Sequence, residues 1–144
     1  MNIRREQLPS ADDLAPMLAP ALAEAGQALI AQIHMRALRG VGVDDAEMPR
    51  YAASTVASKK RRGRDATTRT LTESGSMLRS IHVVETAVSG SRASVVIGFS
   101  NTDDARKAAH NQRIAPWFGA SPKDTEVVGK LLTARIGELL EDDK

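Results

Sequence analysis

With 144 residues and 15.4 kDa the chain has room for one folded domain, read as 1–144, and little space for a second. The absence of cysteine excludes disulfide frameworks, thiolate nucleophiles and cysteine-based zinc sites, and no run approaches the roughly 18 apolar residues of a membrane-spanning helix. A formal net charge of only +2 hides a polarity: residues 48–72 hold seven basic side chains against the single acid Asp65, while Glu138, Glu141, Asp142 and Asp143 crowd the other end.

The N-terminal segment MNIRREQLPSADD turns polar and acidic where a signal peptide needs an apolar stretch, so no export signal is expected. Residues 19–39 read as an amphipathic helix. Leu22, Ala25, Leu29, Ile33 and Ala37 recur at spacings of three and four, Glu24, Gln32, Arg36 and Arg39 fall largely elsewhere, Pro20 suits the first turn and Gly40 the end. Leu14, Met17 and Leu18 extend the stripe, but Pro16 and Pro20 argue against one unbroken helix from Asp13.

From residue 40 to 69 the periodicity fails, and Gly, Asp, Ser, Thr and basic residues dominate. The expectation is an extended basic loop with room for one short helix after Ser54, ordered only when partners supply contacts, because such a composition buries little apolar surface. The stretch LTESGSMLRSI predicts a short helix that turns Met77, Leu78 and Ile81 inward. HVVETAV, SGSR and ASVVIGF then form two β-branched runs around a Gly-containing turn, a hairpin whose Val95, Ile97 and Phe99 share a face.

Asn101 or Thr102, followed by Asp103 and Asp104, starts a short helix through Ala109, after which RIAPWFG reads as irregular or as a short third strand. Ser121, Pro122 and Asp124 supply cap, first-turn proline and dipole-matched acid for a last helix burying Val128, Leu131, Leu132, Ile136 and Leu139. The sum is an α+β fold, a small antiparallel sheet packed against N- and C-terminal helices, with Val95, Ile97 and Phe99 expected against Leu29, Ile33, Leu132 and Ile136. Only 3% of the residues are aromatic, so the core must be aliphatic.

Little in the sequence points to catalysis. His34, His82 and His110 fall on three different predicted elements, and Asp44, Asp45 and Glu47 lack the ligand pattern of a calcium loop. Gly40 and Gly42 form a lone GxG with no preceding strand, and Ser74 and Ser76 lack the elbow of a serine nucleophile. Neither a catalytic residue, a metal nor a cofactor is assigned. The cluster that stands out is Lys59, Lys60, Arg61, Arg62 and Arg64. It is read as a contact to DNA phosphates or to an acidic subunit surface, or else as a solvated loop, and without interleaved aromatics it offers no base stacking. Trp117 and Phe118 sit together between Pro116 and Gly119, either as a core plug or as subunit-interface anchors.

Taken in order, the residues resemble the virion-morphogenesis or tail-completion (neck) family of Mu-like and related phages and prophages. The resemblance spans roughly residues 22–140 and is carried by short motifs. These are an N-terminal helix, a basic loop ending near GRDATTRTLTESGSMLRSI, a valine-rich hairpin, a KAAH segment, and RIAPWFGASPKD before the last helix. Leu71, Ser74, Gly75, Met77, Leu78, Ser80 and Ile81 follow the family's order of leucine, Ser or Thr with Gly, apolar pair and Ser-Ile. The chain departs from the family where an aromatic is common near Ala108, and where Arg113 precedes Pro116 instead of following a proline.

The resemblance implies a structural phage protein without catalytic residues, a ring at the head–tail junction that completes the tail or neck. Its implied partners are other copies of itself, six with twelve as the alternative, tail-tube and neck or connector proteins, and packaged DNA. Its implied place is the virion, after assembly in the host cytoplasm. The leading reading from another class is a stand-alone basic nucleic-acid-binding protein with Lys59–Arg64 as its phosphate patch. A small ribonuclease would need His, Glu or Tyr clustered beside basic residues, which the sequence does not offer.

Overall fold

A computed structural model of the chain describes residues 11–64, 71, 75–89 and 92–142. It is an α+β fold with a two-stranded antiparallel sheet and helices before and after it. Helix α1 (Ala11–Leu38) is alanine-rich, the composition with the highest helix propensity, and its buried stripe is Ala21, Leu22, Ala25, Ile30, Ile33 and Ala37. The helix runs unbroken through Pro16 and Pro20, contrary to the sequence expectation. The two prolines are four residues apart and both exposed, so the carbonyls they leave unpaired lie on a solvent side where water can take them.

Gly40, at φ 69°, ends α1 as expected. Its N–H donates to Ala37 O and that of Val41 to Arg36 O, at 3.0 and 2.9 Å, the paired closing bonds of a left-handed C-terminal cap. The following segment is not the open loop that its composition suggested. Met48 N–H donates to Gly40 O, Gly42 N–H to Ala46 O, and Val43 N–H to Pro116 O, at 2.7, 2.9 and 3.0 Å, while Met48 itself is buried. Backbone bonding and one anchoring methionine order it without any apolar periodicity. Helix α2 (Ala53–Arg61) then occupies the place where one short helix had room. Residues 65–69 of the expected loop lie outside the described residues.

Helix α3 (Ser76–Arg79) follows Gly75 at φ 73° and buries Met77 and Leu78 as predicted; Ile81 is buried at the start of β1 (Ile81–Ser89). Strand β2 (Arg92–Phe99) pairs with β1 in the register Ile81↔Phe99, Val83↔Ile97 and Thr86↔Val95, with a bulge between Val83 and Glu85. Ile97 and Phe99 pack with Leu29 and Ile33 in one core. Val95 and Val83 meet α1 at Gly26, where an added Cβ would lie 2.9 and 2.8 Å from their methyls. A small residue there lets helix and hairpin close on each other.

Helix α4 (Thr102–Ile114) starts at an Asn101 cap whose side chain accepts the Asp104 N–H at 2.8 Å, and it runs five residues past the expected Ala109. Arg113 and Ile114 therefore belong to a helix, and 115–120 is irregular; the described residues form no third strand. Helix α5 (Pro122–Asp142) opens on a reciprocal cap: Ser121 Oγ accepts the Asp124 N–H at 3.1 Å, and the Asp124 carboxylate accepts the Ser121 N–H at 3.0 Å.

Helix α5 lies antiparallel along α1. Asp124 meets Arg36, Arg135 meets Glu24, and Leu139 lies near Met17. Leu132 and Ile136 consequently face α1, and they lie outside the core that holds Ile97 and Phe99, where the sequence reading had placed them. With a single helix against it, the predicted stripe of Val128, Leu131, Leu132, Ile136 and Leu139 is only half-buried.

Candidate functional site

The basic cluster is built on the end of α2. Lys59, Lys60 and Arg61 form its last turn and Arg62 its C-terminal cap. Gly63, at φ 68°, then reverses the chain, so that the Gly63 N–H donates to Lys60 O and the Arg64 N–H to Lys59 O at 3.1 and 2.9 Å. A glycine placed one residue past the helix is thus what folds Arg64 back beside the turn that bears Lys59. Cations at a helix C-terminus are also matched to the negative end of its dipole. Lys60, Arg61, Arg62 and Arg64 are exposed, and Arg62 donates to Ser58 Oγ at 2.8 Å.

Lys59 differs from the other four. Only 5% of it is exposed, and its ammonium stands 4.7 Å from the centre of the Tyr51 ring. It lines a cavity of about 470 Å³ together with Tyr51, Thr55, Leu71, Gly75, Met77, Lys107 and Asn111. Two lysines therefore face one half-enclosed space, one from α2 and one from α4. Among the described residues the acid paired with Lys107 is Asp104, at 3.8 Å, and it is engaged elsewhere. Its carboxylate accepts Asn101 Nδ2 at 2.7 Å and Ser76 Oγ at 3.1 Å, and is itself buried. The Asn101 amide, then the Ser76 hydroxyl and Lys107, hold this carboxyl below its ordinary pKa of 3.8 against the opposing effect of burial.

Trp117 and Phe118 part company. Trp117 is buried within the subunit's own core, its indole N–H donating to Ala108 O at 3.3 Å, so it serves as the core plug and offers no surface for a neighbour. Phe118 is half-buried and stacks obliquely on Phe99 with ring centres 5.0 Å apart. It lines a smaller apolar cavity with Phe99, Ala105, Ala108, Ala109 and Gln112. Gln112 Oε1 accepts the N–H groups of both Trp117 and Phe118 at 3.0 Å, which fixes the turn that separates their fates.

Sequence reasoning passed over the most deeply buried polar constellation. Arg36 and Asp124, each 2% exposed in their side chains, pair at 2.7 Å; Arg36 also donates to Gly119 O at 2.6 Å and to Trp117 O at 3.3 Å. One guanidinium thus ties α1, the loop after α4 and the start of α5 together. The available signal was position: Arg36 falls three residues after Ile33 and seven after Leu29, inside the apolar stripe. The histidines do not converge. His34 bonds Leu78 O at 2.7 Å, His82 bonds Ser80 O at 3.2 Å, and His110 is exposed.

Among the described residues no three His, Cys, Asp or Glu side chains are gathered to hold a metal ion, and no helix is long and apolar enough to cross a membrane. Asp44 accepts the N–H of Ala46 at 3.1 Å within its own turn, and Asp45 accepts the N–H of Lys123 at 3.3 Å in the first turn of α5. Compared with protein-family models, with curated proteins and with solved structures, the chain matches none.

Proposed function

We propose that the chain is a structural, non-enzymatic phage protein, one subunit of a ring at the head–tail junction that completes the tail or the neck for joining. The observation that carries this reading is apolar surface left uncovered in the single subunit. Helix α5 keeps its apolar stripe half-buried and exposes 45% of Val127 and 47% of Leu140; on the hairpin Val84 and Val96 are exposed by 56% and 48%. Among the described residues no third strand pairs with either edge of the two-stranded sheet. These are surfaces that a neighbouring copy would bury, and a head-to-tail contact that closes on itself yields a ring. The order of motifs supports the same reading, since Leu71, Met77, Leu78, Ser80 and Ile81 are all buried around α3, and Ala108 of the KAAH segment lies against Trp117.

Mass photometry and negative-stain imaging test the proposal, on concentrated protein and on mixtures with purified tails and heads. Rings of six subunits are expected, with twelve as the alternative count, on the free protein or on the particle. A subunit that stays monomeric at every concentration and joins neither tails nor heads would refute it.

A further inference from the structure

The cavity beneath α2 goes beyond a ring role, and its reading does not depend on one. A lysine ammonium withdrawn from water is costly unless an anion repays the loss of hydration. The partner that the described residues give Lys59 is the face of the Tyr51 ring, which attracts a cation but neutralises none of its charge. Across the same cavity stands Lys107, whose acidic neighbour among the described residues, Asp104 at 3.8 Å, is already committed to Asn101 and Ser76. Asn111 adds an amide whose Nδ2 spends one proton on Lys107 O, at 2.9 Å, and keeps a second. The space between these groups, about 470 Å³, is far larger than a single carboxylate requires. Outside it, Lys60, Arg61, Arg62 and Arg64 continue the positive charge along the turn closed by Gly63.

We propose that this cavity is a phosphate site, Lys59, Lys107 and Asn111 holding one backbone phosphodiester of a nucleic-acid strand while Lys60, Arg61, Arg62 and Arg64 follow the neighbouring phosphates. A polynucleotide fits these observations better than an acidic protein segment. It carries a phosphate at every residue, enough to meet the several cations gathered on this one turn, and its sugar-phosphate unit has the bulk to fill the cavity. On helix α5 Glu138 is already paired with Arg135 at 2.8 Å. Recognition would be blind to sequence: Tyr51 has a face occupied by Lys59, and no other aromatic lines the cavity among the described residues.

The test is fluorescence anisotropy of a labelled duplex over a salt series, on the full chain and on Lys59→Met, Lys107→Gln and, as control, Lys130→Gln on α5. With about four to five phosphates neutralised, the slope of log K against log salt should be about −4. Lys59→Met should weaken binding about tenfold and flatten the slope by about 1, Lys107→Gln should act in the same direction, and Lys130→Gln should match wild type. Should Lys59→Met fail to fold, Lys107→Gln still decides, since that side chain is 59% exposed. In amide spectra, inorganic phosphate should shift signals around Tyr51, Lys59, Lys107 and Asn111. Wild-type affinity and slope in both cavity variants would overturn the proposal. So would phosphate shifts scattered over the surface, a free mononucleotide binding as tightly as the duplex, or an acidic peptide of equal charge displacing the duplex one for one.

Discussion

Replacing Arg36 with Met removes the guanidinium but keeps most of the stem that packs within α1's buried face. Three acceptors are stranded at once: the Asp124 carboxylate, left with the Ser121 N–H, and the carbonyls of Trp117 and Gly119. Both ionic side chains are 2% exposed, so water cannot enter to replace the donor lost to the carboxylate without opening the fold. Breaking such a pair by removing one partner costs about 3 to 5 kcal/mol, a large part of the roughly 5 to 15 kcal/mol that holds a domain of this kind together. Chemical denaturation should therefore show Arg36→Met folded only marginally, and Asp124→Asn weakened by a comparable amount. The double variant should lose less than the two single losses combined, by about 2 kcal/mol or more, because the second change then removes a charge that is already stranded. An Arg36→Met protein within about 1 kcal/mol of wild type, or losses that add to within about 0.5 kcal/mol, would show that the pair is incidental to the fold.

Three further expectations follow from the packing and the charges. Gly26→Ala should lower stability, although alanine is the better helix former by about 1 kcal/mol. The new methyl would meet Val83 and Val95 at 2.8 and 2.9 Å, and overpacking of this kind typically costs about 1 to 3 kcal/mol, so a rise in melting temperature would refute the close crossing. Asp104 has a depressed pKa in the folded chain, so its contribution is present above the unfolded value near 3.8 and is lost as pH falls through the lower, folded value. Urea melts should show wild type losing stability below about pH 4 more steeply than Asp104→Asn; parallel profiles would count against this. Val127→Lys together with Leu140→Lys should leave the isolated subunit within about 0.5 kcal/mol of wild type, since both positions are close to half exposed and a lysine stem can cover the same surface, yet should abolish ring assembly as seen by mass photometry. Intact rings from that variant would exclude α5 from the interface.

Local chemistry made much of this fold legible. The serine, proline and aspartate before α5, the glycine after α1 and the β-branched runs of the hairpin each specify their own backbone, and each appears where its residues say. What was hidden depends on partners distant in sequence. Arg36 was read as a solvent-facing residue because periodicity treats every charge as outward, whereas its acceptors lie more than 80 residues away. Lys59 was one of five alike in sequence, and only the placement of Tyr51 and α4 separates it from its neighbours. Pro16 and Pro20 misled for the opposite reason: a penalty that is severe in a buried helix is modest where solvent can reach the freed carbonyls.

The Arg36–Asp124 clamp also has a consequence in time. Its two halves are separated by 88 residues, so a ribosome working at about 5 to 20 residues per second extends the chain for roughly 4 to 18 s between them. For that interval α1 is complete in sequence while its arginine has no carboxylate to meet, and the hairpin it needs is itself still emerging. Nascent α1 must therefore wait, its arginine unpaired and the side that meets α5 uncovered, until the start of α5 is delivered. Synthesis thus passes through a window in which a chaperone has a helix to hold, and the window closes with the translation of a single aspartate.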